Sequence, residues 1–507
     1  MSGLHYISIR NNHSIPLSDI PVLPYPAFFE TMTELLQDTS THCVNYFGYP
    51  SGNGLQFLAV VANDQHGSLS VLGHTLPQRE AKLRSLSRDF YGMHIFEREI
   101  HENFGIDFIG HPWLKPVRYA FDRADRGQTI ANYPFYQIES QELHQVGVGP
   151  IHAGVIEPGH FRFLCNGETV LHLEIQLGWQ HRGIEQLFLS KPSLIQRTVL
   201  AESIAGDTAI GHALAFAHTQ EALAGIVTTD RLALERTLAL ELERIAMHIG
   251  DLSNMNIGLA YQLASSVFGT LRTPVINYTQ TWCGNRFGKG LIRVGGSHYP
   301  FTEELAEKLN HLLIDVENRF SPMANRMFAL PTVLMRLENI GQVTESQMRT
   351  IGAVGMSARM VNIPRDIRIT HPFDAFADLP IEMQTADSGD VLARAQLRRQ
   401  EVETSVGYMR SLAHRLAESD TPASKPINKN ELQLKPSAFS VSLIEGWRGE
   451  ICHCCVTDSR GSVTHYKIKD PSMHNWLALA LSLRDLEISD FPINNKSYNL
   501  SYCGHDL

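Results

Sequence analysis

Four groups of residues in this chain of 507 combine side chains that could do chemistry. The sharpest is Glu157-Pro-Gly-His160, with His152 shortly before it. A carboxylate and an imidazole on a tight turn between strand-like segments suit proton transfer. The second group, Cys452-His453-Cys454-Cys455, has the residue types of a metal site but lies in a run that reads as a β-hairpin. On a strand Cys452 and Cys454 face one side and His453 and Cys455 the other, so one ion could not collect all four. Buried strand cysteines are the expectation. Third, Glu241, Arg244 and His248 are spaced to share one helix face, where ion pairing makes a structural network. Fourth, Glu97-Arg98-Glu99 is a charge run of the kind that covers a solvated helix. The lone His111, His181 and His248 are read as core or interface residues rather than ligands.

These groups need elements to hold them. Gln56–Ala62 reads as a strand, and Pro26–Leu36 and Gln78–Phe90 as helices. Residues 121–148 are polar and rich in Gly, Asn and Gln, a linker by composition. Phe161–Cys165 and Thr169–Gln176 predict a hairpin around Asn166-Gly167. Helical periodicity dominates from about 190 to 415. Thr229 or Asp230 caps a helix running through Met247, and Thr302 with Glu303 and Glu304 opens another. Leu305, Leu309, Leu312 and Val316 fall on one face of the latter and are expected in the core. Residues 417–431 read as a surface loop.

A net charge of −10 and a pI near 6.2 argue against a nucleic-acid partner. No apolar run approaches the ~20 residues that span a bilayer, and the first residues lack a signal-peptide pattern. Seven scattered cysteines do not suggest a secreted disulfide framework. No Gly-rich fingerprint follows a strand, so NAD binding is not expected.

Several strings carry a family resemblance. Phe96-Glu97-Arg98-Glu99-Ile100, Phe104-Gly105-Ile106 and Gly110-His111-Pro112 resemble the signature of the 30-kDa-type subunit of respiratory complex I. In that family the segment docks on neighbouring subunits, so the resemblance implies a structural role for Arg98. Gly149-Pro150-Ile151-His152 through Glu157 and His160 resembles the start of the large subunit of energy-converting [NiFe] hydrogenases, of the formate hydrogenlyase and hydrogenase-4 type. Those are homologous to the 49-kDa-type, quinone-site subunit of complex I. Gln180–Glu185, Glu241–His248, Leu291–Gly296 and Arg448-Gly449-Glu450 are similar to both.

The resemblance implies an α+β chain: a small mixed α/β domain at 1–120, a linker at 121–148, and at 149–507 a mainly helical hydrogenase-large-subunit-like domain with β-hairpins. It implies roles in proton transfer for Glu157, His160 and His152, and an acceptor cavity near His212, Arg293, Thr208 and Ser472. His160 fits the second histidine of the complex I loop only if that loop carries an insertion. No cofactor is expected in this chain itself. An iron–sulfur cluster is expected in a small partner subunit, alongside a ferredoxin-like subunit and antiporter-like membrane subunits. A quinone is a candidate ligand, and the chain would lie on the cytoplasmic face of the cell membrane through its partners.

The pattern breaks at two places. Residues 205–212, Ala-Gly-Asp-Thr-Ala-Ile-Gly-His, and 470–475, Asp-Pro-Ser-Met-His-Asn, resemble the two nickel-binding CxxC segments. Ala205, Thr208, Ser472 and Asn475 replace the four cysteines, and none supplies a soft thiolate. A working hydrogenase is therefore not expected. Leu214 stands where the quinone-site family has a quinone-holding tyrosine. Two readings stay open: reduction of a quinone or other acceptor in the vacated cavity, or a redox-silent scaffold of the same assembly.

Overall fold

In the computed structural model, which describes residues 5–77, 81–154, 156–427 and 432–507, the N-terminal region is built round a sheet. Short strands β1 (Ile7–Ile9), β2 (His13–Pro16) and β3 (Val22–Leu23) precede α1 (Tyr25–Gln37). Three long strands follow: β4 (Thr41–Ser51), β5 (Gly54–Asn63) and β6 (Ser68–Leu76). The order is β1-β6-β5-β4, with β3 parallel to β6. Alternate residues of β5 serve two cores. Phe57, Ala59 and Val61 pack with Phe28 and Met32 of α1, while Leu58, Val60 and Ala62 join the main core of the chain. A strand covered on both faces needs the near-continuous apolar run seen in its sequence.

The helix expected over Gln78–Phe90 is not there. Gln78–Glu80 lie outside the described residues, and beyond them come β7 (Lys82–Arg84), a turn, and a short 3-10 turn at Tyr91–Met93. The cause sits in α2 (His94–Phe104), whose buried Glu97 accepts hydrogen bonds from Leu86 N at 2.7 Å and Ser85 Oγ at 2.5 Å. Those bonds hold 85–87 in a turn. β8 (Asp107–Ile109) then pairs with β7 in parallel.

Residues 121–143 are irregular apart from a 3-10 turn at Ile130–Asn132. The last five residues read as linker form β9 (His144–Val148), which pairs with β10 (His160–Asn166) and, through it, β11 (Thr169–Gln176). The helical body follows: α3 (Ile184–Ser190), α4 (Leu194–Ala201), α5 (Ala209–Ala224), α6 (Asp230–Gly258), α7 (Gln262–Cys283), α8 (Glu303–Phe328) and the helix Val391–Glu418. The Thr229 and Thr302 side chains cap α6 and α8, and α6 continues past Met247 to Gly258. Leu305, Leu309, Leu312 and Val316 are buried.

The stretch read as the loop 417–431 starts after the helix ends at Glu418, and residues 428–431 lie outside the described residues. Its middle packs on the Gly295-Gly296 pair. Ser297 N donates to Ser424 O at 3.0 Å, and a Cβ on Gly296 would come within 2.4 Å of the Lys425 carbonyl carbon. That close approach explains the second glycine.

A four-stranded sheet closes the molecule: β12 (Ala438–Gly446), β13 (Gly449–Thr457) and β14 (Val463–Lys469), ordered β14-β13-β12-β2. Its edge strand β2 comes from the N-terminal region. The helix Ser472–Ser482 follows. The architecture is α+β, and no described helix is long and apolar enough to cross a membrane.

Candidate functional site

The two segments that replace CxxC motifs meet in the interior. Ala205, Thr208, Ser472 and Asn475 are all buried. The Asn475 amide donates to Val354 O at 3.1 Å and accepts from Val354 N at 3.2 Å. Ser472 Oγ accepts from Ser501 N at 2.9 Å. Thr208 Oγ1 accepts from Arg448 Nη1 at 3.2 Å, and the same guanidinium grips Asp207 with two bonds of 2.7 Å. An alanine and three groups committed to protein partners do not fit a thiolate-bound nickel.

α5 starts at this point, and its first turn is capped from outside. Glu243 of α6 accepts from Ile210 N at 2.8 Å and Gly211 N at 3.1 Å. Amide donors at a helix N-terminus favour the carboxylate, but burial dominates and pushes the Glu243 carboxyl up to about 8.

From the same point a single file of hydrogen bonds leads away. Asp470 Oδ2 lies 3.1 Å from His212 Nε2, His212 Nδ1 lies 3.1 Å from His453 Nε2, and His453 Nδ1 lies 2.9 Å from the Tyr466 hydroxyl. With Asp470 ionised, one assignment satisfies every member: Tyr466 donates to His453, His453 to His212, and His212 to Asp470. Burial opposes charge on Asp470, but the His212 hydrogen bond and Arg448 hold its carboxyl below the ordinary range. Burial and the neighbouring His212 keep His453 neutral. Such a file can pass a proton by shifting each hydrogen one bond along. Its far end stacks on Phe188 of α3, with ring centroids 4.3 Å apart.

Glu241, Arg244 and His248 face a different cluster in the helical body. Arg244 Nε donates to Glu241 at 3.1 Å and His248 Nε2 lies 2.6 Å from Glu401. Arg359 bridges Glu401 and Glu445, the latter at 2.7 Å, and Arg368 bonds Asp366 at 2.6 Å. Three guanidinium groups thus meet four carboxylates. Glu445, the carboxylate least compensated, is pushed up to about 7 by burial and by Asp366.

Arg98 stands apart from that lattice. The glutamates flanking it turn inward: Glu97 holds the 85–87 turn, and Glu99 pairs with Arg118 and Lys467, both at 2.5 Å. These are buried groups, not a solvated face. His111 and His181 are hydrogen-bonded, to His94 O at 3.2 Å and Asp506 O at 2.8 Å. In the cysteine run Cys452 and Cys454 lie together, Sγ to Sγ 3.7 Å, while Cys455 meets Gln220 on the opposite side. Burial pushes the Cys455 thiol up to about 12.

The expected site residues fall into separate places. His212, Thr208 and Ser472 gather around Asp470 and Arg448, whereas Arg293 binds Glu202 at 2.6 Å. Glu157 lies beside the Cys503 thiol, which burial and that carboxylate push up to about 11. Cys503 Sγ is 3.4 Å from Ser501 Oγ, and Ser501 N reaches Ser472, so Glu157 approaches the replaced positions from the loop side. His160 Nδ1 bonds Gly149 O at 3.1 Å and His152 Nε2 bonds Gly159 O at 2.8 Å. Among the described residues no hydrogen bond joins Glu157 to either histidine, so they do not form one relay by direct contact. Leu214 is buried in α5.

Sequence reasoning missed His453, Tyr466, Glu243 and Arg448 as site residues. Glu243 sits in the Glu241-Leu-Glu243-Arg244 string, two positions from Glu241, which points it at α5 instead of the lattice. His453 had only its strand position as a signal.

Residues 264–506 match the model of the respiratory-chain NADH dehydrogenase 49 kDa subunit, and residues 26–123 that of the 30 kDa subunit. Hydrogenase-4 component G of Escherichia coli K12 is 24% identical over 419 residues, covering 78% of this chain and 71% of the relative. An NADH-quinone oxidoreductase component of Aquifex aeolicus is 26% identical over 455 residues, covering 81% and 77%. A protein of the membrane-bound sulfane sulfur reductase, an archaeal respiratory membrane complex, superposes with a TM-score of 0.67 at 19% identity, covering 73% of this chain and all of that one. The chain is a fused 30-kDa- and 49-kDa-type protein of the complex I family, related to the large subunits of group 4 hydrogenases.

Proposed function

We propose that this chain is the acceptor-site subunit of a membrane-associated, complex I-related oxidoreductase. In it a quinone or another two-electron acceptor is reduced at the face of the vacated metal pocket, coupled to ion movement. Electrons would come from an iron–sulfur small subunit fed by a ferredoxin-like subunit, and antiporter-like subunits would hold the assembly to the inner face of the cell membrane. Exposed Ile151 and Ile156 on the loop before β10, and Ile195 and Val199 on α4, offer apolar surface for such partners.

The observation that carries the reading is the file Asp470–His212–His453–Tyr466, which ends at the replaced ligand positions. A two-electron acceptor takes up two protons, and a file with one consistent donor order can resupply them. Glu157, reaching the same positions through Cys503, is the second candidate donor. A redox-silent scaffold is favoured instead by the Asn475–Val354 and Ser472–Ser501 bonds, which satisfy the former ligand positions from within.

Glu157→Gln separates the two. It keeps the shape and hydrogen bonding of the side chain but cannot ionise. In the complex purified with its partner subunits, reduction of decylubiquinone should fall at least tenfold with assembly intact, the typical cost of a lost proton-transfer group being about 10²–10⁴-fold. Unchanged turnover in an assembled complex would support the scaffold.

A further inference from the structure

A separate cavity lies along the helix that begins at Ser472, and no residue assigned to acceptor reduction lines it. It measures about 790 Å³, within the range of small-molecule sites, and opens between α2, β11 and the helix Ser472–Ser482. Two of its walls present apolar side chains. Leu171, Leu173 and Ile175 line it from one face of β11, and Leu477, Ala480 and Leu481 from one face of the helix.

The third wall is polar and incompletely paired. His94 and Arg98 are one helical turn apart on α2, so both side chains lie on the cavity side. His94 is 2% exposed and stacked on Tyr91 at 4.8 Å, yet neither ring nitrogen has a hydrogen-bond partner among the described residues. Buried polar groups are normally hydrogen-bonded, so an orphan embedded in a cavity wall asks for a ligand. Arg98 is buried too. Its hydrogen bonds run to two backbone carbonyls, Lys115 O at 2.8 Å and Pro116 O at 2.7 Å, and its guanidinium covers the Trp113 ring at 4.3 Å. Among the described residues no carboxylate pairs with it. The lining as a whole holds three cations, Arg98, Lys115 and Arg484, against the single carboxylate Glu174, which Lys115 and Tyr136 N already engage.

We propose that this cavity binds an amphipathic organic anion, its apolar body between β11 and the helix and its anionic oxygens on Arg98 and the N–H of His94. The buried charge of Arg98 then gains a counter-ion and the imidazole a hydrogen-bond partner, neither of which the described residues provide. This assignment is independent of acceptor reduction at the vacated pocket.

The probe pair is 1-anilinonaphthalene-8-sulfonate and its uncharged analogue N-phenyl-1-naphthylamine, followed by fluorescence on the full chain and on the assembled complex. The sulfonate should bind one to one and at least tenfold more tightly than the neutral analogue. His94→Phe keeps the stacked ring and removes two unpartnered nitrogens, so the free protein should unfold at the same temperature as wild type or higher. Sulfonate affinity should nonetheless fall about tenfold, the scale of a lost hydrogen bond to a charged group. Ala480→Trp, which fills the cavity without touching either polar residue, should abolish binding of both probes. Equal affinity for the two probes, or unchanged binding in Ala480→Trp, overturns the proposal. Binding by the free chain that disappears in the assembled complex also overturns it, because a partner protein then occupies the cavity.

Discussion

The helical body and the vacated pocket solve the burial of charge in opposite ways. Around Glu401 the polar groups form a lattice: Glu401 receives Arg359 and His248, Arg359 also reaches Glu445, and Arg368 reaches Asp366. Removing one bond leaves others. From Asp470 to Tyr466 the groups form a single file, each inner member holding one neighbour on either side. A lattice resists change, and breaking it exposes uncompensated charge. A file contributes little to architecture, but the hydrogen-bond order of the whole can invert when one proton arrives. The difference assigns rigidity to one region and proton traffic to the other.

That contrast can be broken by mutation, and the largest effect is expected in the lattice. Arg359→Met leaves Glu401 and Glu445 buried with their main cation gone, at a cost of about 3–5 kcal/mol. Urea denaturation of the full chain should show a much lower midpoint, or no folded protein. A midpoint equal to that of wild type would show that the lattice is dispensable.

The file should behave differently. Tyr466→Phe keeps the ring on Phe188 and loses one hydroxyl, so stability should change by only about 0.5–1.5 kcal/mol. Decylubiquinone reduction by the assembled complex should nevertheless drop by about tenfold or more. A large stability loss with normal turnover would make the file another piece of architecture.

The junction of the two regions should also show a pH dependence. Glu243 keeps its proton in the folded chain up to about pH 8, against an ordinary value of 4.5. The folded state therefore holds the extra proton between those values. Its stability contribution is complete below about pH 4.5 and is lost as the pH rises through about 8. Glu243→Gln should flatten this part of the curve, so that the variant gains on wild type between about pH 6 and pH 9 in urea titrations. Parallel curves for the two proteins would rule the assignment out.

Much of this molecule could be read from residue order, and the failures have physical causes. Helices with a Thr cap and a 3.6-residue apolar stripe, such as α6 and α8, declare themselves locally, as does the hairpin turning at Asn166-Gly167. The turn at 85–87 does not, because the carboxylate that shapes it comes from Glu97 in the next element. The alternation of Cys452, His453, Cys454 and Cys455 was legible. That His453 meets His212, 241 residues away, was not, since no local rule specifies that contact. The His94 and Arg98 spacing was visible in the sequence, but the resemblance drew attention to the glutamates beside Arg98. The family strings led to the right segments and said little about which side chains within them touch.

One strand sets the order in which the molecule can be completed during its synthesis. Asn11, just before β2, donates to Leu443 O, 432 residues later, and β2 itself pairs with β12. At about 5–20 residues per second, the ribosome needs roughly 20–90 s to make that partner. Throughout this interval the N-terminal sheet can form while His13–Pro16 has no strand to join. A strand made before β4, β5 and β6 is thus among the last to dock, and its arrival ties the N-terminal region to β12.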